Sequence, residues 1–74
     1  MKYENLIEIN PNIRFGKPCI AGTRITVQDI LEMLAGGMTF SEIEEDFPAL
    51  TADKIKAALA FAASRERLVK MVVA

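Results

Sequence analysis

Apolar residues occupy alternate positions at the start of the chain and then shift to helical spacing. Ile7, Ile9, Ile13 and Phe15 are all odd-numbered, and Asn10-Pro11-Asn12 between the two pairs has the residues that favour a turn. A second ribbon follows. If Gly22-Thr23 is a two-residue type II′ turn with glycine first, Ala21 faces Arg24, Ile20 faces Ile25 and Pro18 faces Val27. That register gives one apolar face of Pro18, Ile20, Ile25 and Val27. Cys19, Ala21, Arg24 and Thr26 form a partly polar opposite face, open to water or a partner.

From Thr26 the period becomes helical. TVQD pairs a hydroxyl cap with an acid three residues on, and Val27, Ile30, Leu31 and Leu34 share one face until Gly36-Gly37 ends the helix. TFSE, residues 39–42, is a second capping box. It starts a short helix with Phe40, Ile43 and Phe47 as its apolar stripe and Glu42, Glu44, Glu45 and Asp46 outward, stopped by Pro48. Thr51 caps a third helix whose core face is Ile55, Ala58, Leu59 and Ala62, in an alanine-rich stretch of high helix propensity.

The expected architecture is therefore mainly α. One domain, residues 1–74, divides into a β-ribbon arm (1–26), a three-helix core (27–66) and a C-terminal tail (67–74). A short second helix joined to the first by a glycine turn is the outline of a helix-turn-helix unit, in which the third helix usually reads the major groove. Three such helices are also a common way to bury a small core. The start of the third helix offers Lys54 and Lys56 beside Asp53, a weak reading head with no arginine for guanine and no amide for adenine.

Composition narrows the chemistry. With 74 residues, 51% hydrophobic and 26% charged, the chain is globular in character but buries only about 60% of its unfolded surface, so a partner surface is expected. No apolar run approaches the ~18 residues of a membrane span, and the N-terminus lacks a signal-peptide core, which points to the cytoplasm. One cysteine and no histidine exclude an internal disulfide, the usual zinc ligand sets and histidine-assisted nucleophiles; Cys19 reads as a small buried residue. Glu44 and Glu45 are adjacent and so diverge on a helix, which disfavours paired-carboxylate catalysis. We expect no enzyme activity, catalytic residue, metal, cofactor or small-molecule substrate.

The net charge of −1 conceals segregation: residues 1–26 carry +2, residues 27–53 carry −7 and residues 54–74 carry +4. Such a layout suits self-association or a charged partner. On the ribbon, Arg14, Lys17 and Arg24 either contact phosphates as a wing would or protect a strand edge from unwanted pairing. Arg24, beside a tight turn, is the best single candidate for gripping a carboxylate or phosphate. With Lys54 and Lys56, these three are the candidate nucleic-acid contacts.

Several segments together carry a family resemblance: INPNI (9–13), GKPCIAGTRITV (16–27), ILEMLAGGMTFSEIEEDFPALT (30–51) and IKAALAFAASRE (55–66). The G-K-P-x-I-x-G-T-R-I core, the leucine-rich helix, the glycine turn, the E-I pair and P-x-L-T are specific as a set. They resemble the VapB-type antitoxin-like family of small prokaryotic domains, often encoded beside a PIN-like ribonuclease toxin. The one departure is a third helix rich in alanine rather than aromatic residues. The resemblance implies a homeodomain-like or winged three-helix fold with a β-hairpin arm, a homodimer, and the antitoxin half of a toxin–antitoxin pair, to which binding of operator DNA is an optional addition. The alternatives are a stand-alone DNA-binding regulator and a purely structural dimerisation domain.

The tail is the second candidate site. Leu68, Val69, Met71, Val72 and Val73 would be adhesive if left in water. They extend the third helix against the ribbon, pair with another subunit, or fold onto a toxin with Arg65, Arg67 and Lys70 opposite its acidic groups. The family resemblance favours the third option, making Arg65, Arg67, Leu68, Val69, Lys70, Met71 and Val72 the candidate partner contacts.

Overall fold

The computed structural model describes the backbone of residues 4–73 and the side chains of residues 5–65. After a short 3-10 turn at Glu4–Leu6 come β1 (Ile7–Glu8), a second short turn at Arg14–Gly16, β2 (Cys19–Ile20), α1 (Val27–Ala35), α2 (Phe40–Asp46) and α3 (Ala52–Val73). β1 and β2 form a two-stranded antiparallel sheet with Ile7 opposite Ile20 and Glu8 opposite Cys19. Beyond it, Cys19 bridges to Thr26, and Ile20 and Val27 donate backbone N–H bonds to the carbonyls of Ile25 and Pro18 at 2.9 Å each. The predicted pairings of Ile20 with Ile25 and Pro18 with Val27 are thus present.

The turn that closes this ribbon differs from the expectation by one residue. Thr23 N–H donates to the Ile20 carbonyl at 3.0 Å, so the tight turn is residues 20–23 and Gly22, at φ +79°, is its third residue rather than the first of a two-residue loop. The threonine explains the shift. Its hydroxyl donates to the same Ile20 carbonyl at 2.8 Å and accepts from Ile25 N–H at 3.1 Å, completing a four-residue loop from within.

Both expected capping boxes form. Thr26 accepts from Asp29 N–H at 2.9 Å while the Asp29 carboxylate accepts from Thr26 N–H at 3.1 Å; Thr39 and Glu42 repeat the exchange at 3.1 and 2.9 Å. At the other end of α1, Gly37 N–H donates to Leu34 and Met38 N–H to Met33, at 3.0 and 3.1 Å. This is a Schellman closure with Gly37 at φ +98° in the left-handed position.

The core is a cluster of Ile20, Val27, Ile30, Ile43, Leu50, Ile55 and Ala58, drawn from the ribbon and all three helices. The ribbon is therefore packed into the body and does not stand off as a free arm. On the face expected to be open, Cys19 and Thr26 are buried almost as fully as Ile20, while Arg24 remains exposed. The Cys19 thiol is free and donates to the Lys17 carbonyl at 3.3 Å. On α3, Ala57 and Ala58 are fully buried and Leu59 is 39% exposed, which reverses the expected weight of Leu59. Methyl-sized side chains at Ala57 and Ala58 suit a close approach of α3 to its neighbours.

Candidate functional site

The segment joining β1 to β2 holds the least expected geometry. Asn10 begins a turn as predicted, its side chain accepting from Asn12 N–H and its carbonyl from Ile13 N–H, both at 2.9 Å. No strand follows. Arg14, Phe15 and Gly16 are consecutive left-handed residues with φ of 50°, 60° and 80°. Glycine adopts this conformation freely, but for arginine and phenylalanine it costs about 1 kcal/mol or more each. The ring so presented is 97% exposed, and Ile9 nearby in sequence is 61% exposed.

Arg14 holds the turn in place. Its Nη1 donates to the Arg24 carbonyl at 2.9 Å and to Asp29 Oδ2 at 3.3 Å, tying the turn to the ribbon loop and to the first turn of α1. Asp29 therefore serves two structures, the α1 cap and the Arg14 clamp. Partial burial pushes its carboxyl up, but the bonds from Thr26 and the Arg14 guanidinium outweigh that and leave it below its ordinary value. Glu42, in the same capping role on α2, is also lowered, chiefly by the Thr39 backbone N–H.

Two open grooves of contrasting charge touch α1. One, of about 340 Å³, has a largely apolar floor that includes Pro18, Val27, Leu31 and Phe61, with Lys17 and Arg65 among its lining. Arg65 lies over the Phe61 ring, 5.8 Å from its centroid. The second, of about 400 Å³, is lined by Ile25, Met33, Phe47, Asp29 and Glu32. Glu32 accepts from the Gln28 amide at 3.1 Å.

The structure brings only some of the predicted site residues together. Lys17 and Arg65 share a groove, although they belonged to separate candidate sites. Arg14 is half-buried in its ion pair, and Arg24 is exposed beside it. Lys54 is half-buried and Lys56 exposed in the first turns of α3. The side chains of Arg67, Leu68, Val69, Lys70, Met71 and Val72 lie outside the described residues, although the α3 backbone runs through them. Phe15 and Asp29 were missed as site residues. Alternation placed Phe15 in a strand, and the only local hint of a turn was the glycine after it. Among the described residues no cluster of acidic or cysteine side chains could hold a metal, and no helix is long and apolar enough to cross a membrane.

Three helices over a two-stranded antiparallel ribbon define a small, mainly helical domain. Residues 7–62 match the family described as "Protein of unknown function (DUF433)", and the chain belongs to that family. It is similar to "Uncharacterized protein y4eO" of Sinorhizobium fredii (strain NBRC 101917 / NGR234), 33% identical over 57 residues, which are 77% of this chain and 26% of the relative. The chain thus spans about a quarter of that relative's length. A crystal structure of a DUF433 member from Anabaena variabilis ATCC 29413 superposes with a TM-score of 0.80 at 25% identity, covering 97% of this chain and 71% of that one.

Proposed function

We propose that this chain is a VapB-type, antitoxin-like binding protein of the cytoplasm that neutralises a PIN-like ribonuclease and acts by binding rather than by catalysis. One observation supports this above the rest: the Lys17–Arg65 groove offers an apolar floor with cations at its rim. Its α3 side leads straight into a helical segment whose sequence adds Arg67 and Lys70 among Leu68, Val69, Met71 and Val72. A ribonuclease active site is rich in carboxylates, and this surface complements one in both charge and greasiness. In the same reading α2, the turn closed by Leu50 N–H on the Phe47 carbonyl at 2.8 Å, and α3 form a homeodomain-like helix-turn-helix unit.

Operator binding receives less support. Arg14 is occupied by Asp29, Lys54 is half-buried, and Glu42, Glu44, Glu45 and Asp46 are exposed on the helix just before α3, where they repel phosphates. The test is co-purification with the product of the adjacent gene. The full chain should retain that product; Arg65→Glu and a deletion of residues 68–74 should both lose it while circular dichroism still shows the helices. Retention by both variants would refute the proposal.

A further inference from the structure

Phe15 and the acidic groove are connected through one ion pair. Arg14, whose backbone begins the left-handed turn, bonds Asp29, and Asp29 lines the groove that Ile25, Met33 and Phe47 floor. One copy thus carries both a projecting aromatic ring and an apolar hollow, joined through the Arg14–Asp29 pair. That is what a two-fold interface requires, because the same rotation carries each copy's projection to the other copy's hollow. The strained backbone at Arg14 and Phe15 is anchored at two points, the Arg24 carbonyl and the Asp29 carboxylate, and the ring stands 97% exposed.

Charge selects the occupant of the hollow. Arg24 is exposed at the foot of the Phe15 turn, and its carbonyl is one of the two groups Arg14 holds. Glu32 is exposed in the groove and has no cation within ion-pair distance among the described residues. Beside the projecting turn the exposed charge is the cation of Arg24, and in the groove it is the carboxylate of Glu32, because Asp29 is already paired with Arg14. A nucleic acid would meet those carboxylates unfavourably, whereas a second copy of this chain matches them.

We propose that Phe15 is the anchor of a two-fold homodimer, its ring seated in the Ile25–Met33–Phe47 groove of the other copy with Arg24 over Glu32. This specifies the self-association that accompanies the antitoxin reading, but it is tested on the isolated chain, so its failure leaves the toxin proposal standing. Sedimentation equilibrium of the purified full chain at low salt should show a concentration-dependent dimer. Phe15→Ala should weaken the dimer about 30-fold or more, as truncation of an aromatic hot spot does, with unchanged circular dichroism because the ring is 97% exposed. Arg24→Glu and Glu32→Lys should each be monomeric alone and should form a heterodimer when mixed. A wild-type chain that stays monomeric, a Phe15→Ala chain that dimerises as tightly as wild type, or a mixture that fails to associate would each overturn the proposal.

Discussion

The two adjacent glycines after α1 should respond to alanine with opposite signs. Gly36 is the C-cap at φ −77° and ψ −1°, an ordinary right-handed conformation, and a methyl there would sit 3.4 and 3.5 Å from the carbonyl oxygens of Glu32 and Met33, in normal contact. Gly36→Ala removes unfolded-state freedom without native strain and should stabilise by about 0.4–1 kcal/mol. Gly37 is the left-handed residue of the Schellman closure at φ +98°, and a methyl there would meet nothing within 4 Å. Any cost of Gly37→Ala is therefore conformational, with no clash to confuse it. Because both replacements change the unfolded chain in the same way, the difference between them isolates the left-handed penalty, about 1–2 kcal/mol. For a domain of this size each kcal/mol moves the melting temperature by about 4–8 °C. Thermal unfolding followed at 222 nm should place Gly37→Ala about 4–16 °C below Gly36→Ala, with wild type between them. Equal melting temperatures, or the reverse order, would refute the assignment of the two roles.

Ile43→Ala empties a fully buried site in the core and should cost about 2–5 kcal/mol by urea denaturation, a large part of the roughly 4–11 kcal/mol expected for a chain this short. Thr39→Ala removes an exposed cap and should cost about 1 kcal/mol; Thr26→Ala removes a buried one and should cost more in the same titration. Asp29 is held below its ordinary value in the folded chain, so its contribution to stability is present above about pH 4 and is lost as the pH falls through the folded value. Asp29→Asn should therefore flatten the acid side of a stability–pH profile, and an unchanged acid limb would count against the Thr26–Asp29–Arg14 network.

Much of the fold was legible because its signals are local. The Thr26–Asp29 and Thr39–Glu42 caps act between residues three apart, the Gly36-Gly37 stop acts within a turn, and Pro48 ends α2 by its own ring. The ribbon register followed from the alternation of Pro18, Ile20, Ile25 and Val27. The shift of its turn was missed because a threonine hydroxyl, and not glycine alone, chose the loop. The sequence could not distinguish Gly36 from Gly37 by residue type; only the backbone angles did so.

By itself the sequence determined the order of the helices, where each begins, where the first two end, and a core built from Ile20, Ile30, Ile43 and Ile55, because periodicity and caps are short-range properties of the chain; α3, by contrast, runs on to Val73 through the segment set apart as a tail. Tertiary structure alone decided the rest. It buried Cys19 and Thr26 on the ribbon's second face, exchanged Leu59 for Ala57 on the inner face of α3, and gave Asp29 a partner fifteen positions away. That long-range bond lets Arg14 and Phe15 take left-handed angles that alternation assigned to a strand. No local pattern encodes a conformation that exists only because a distant carboxylate and a distant carbonyl hold it.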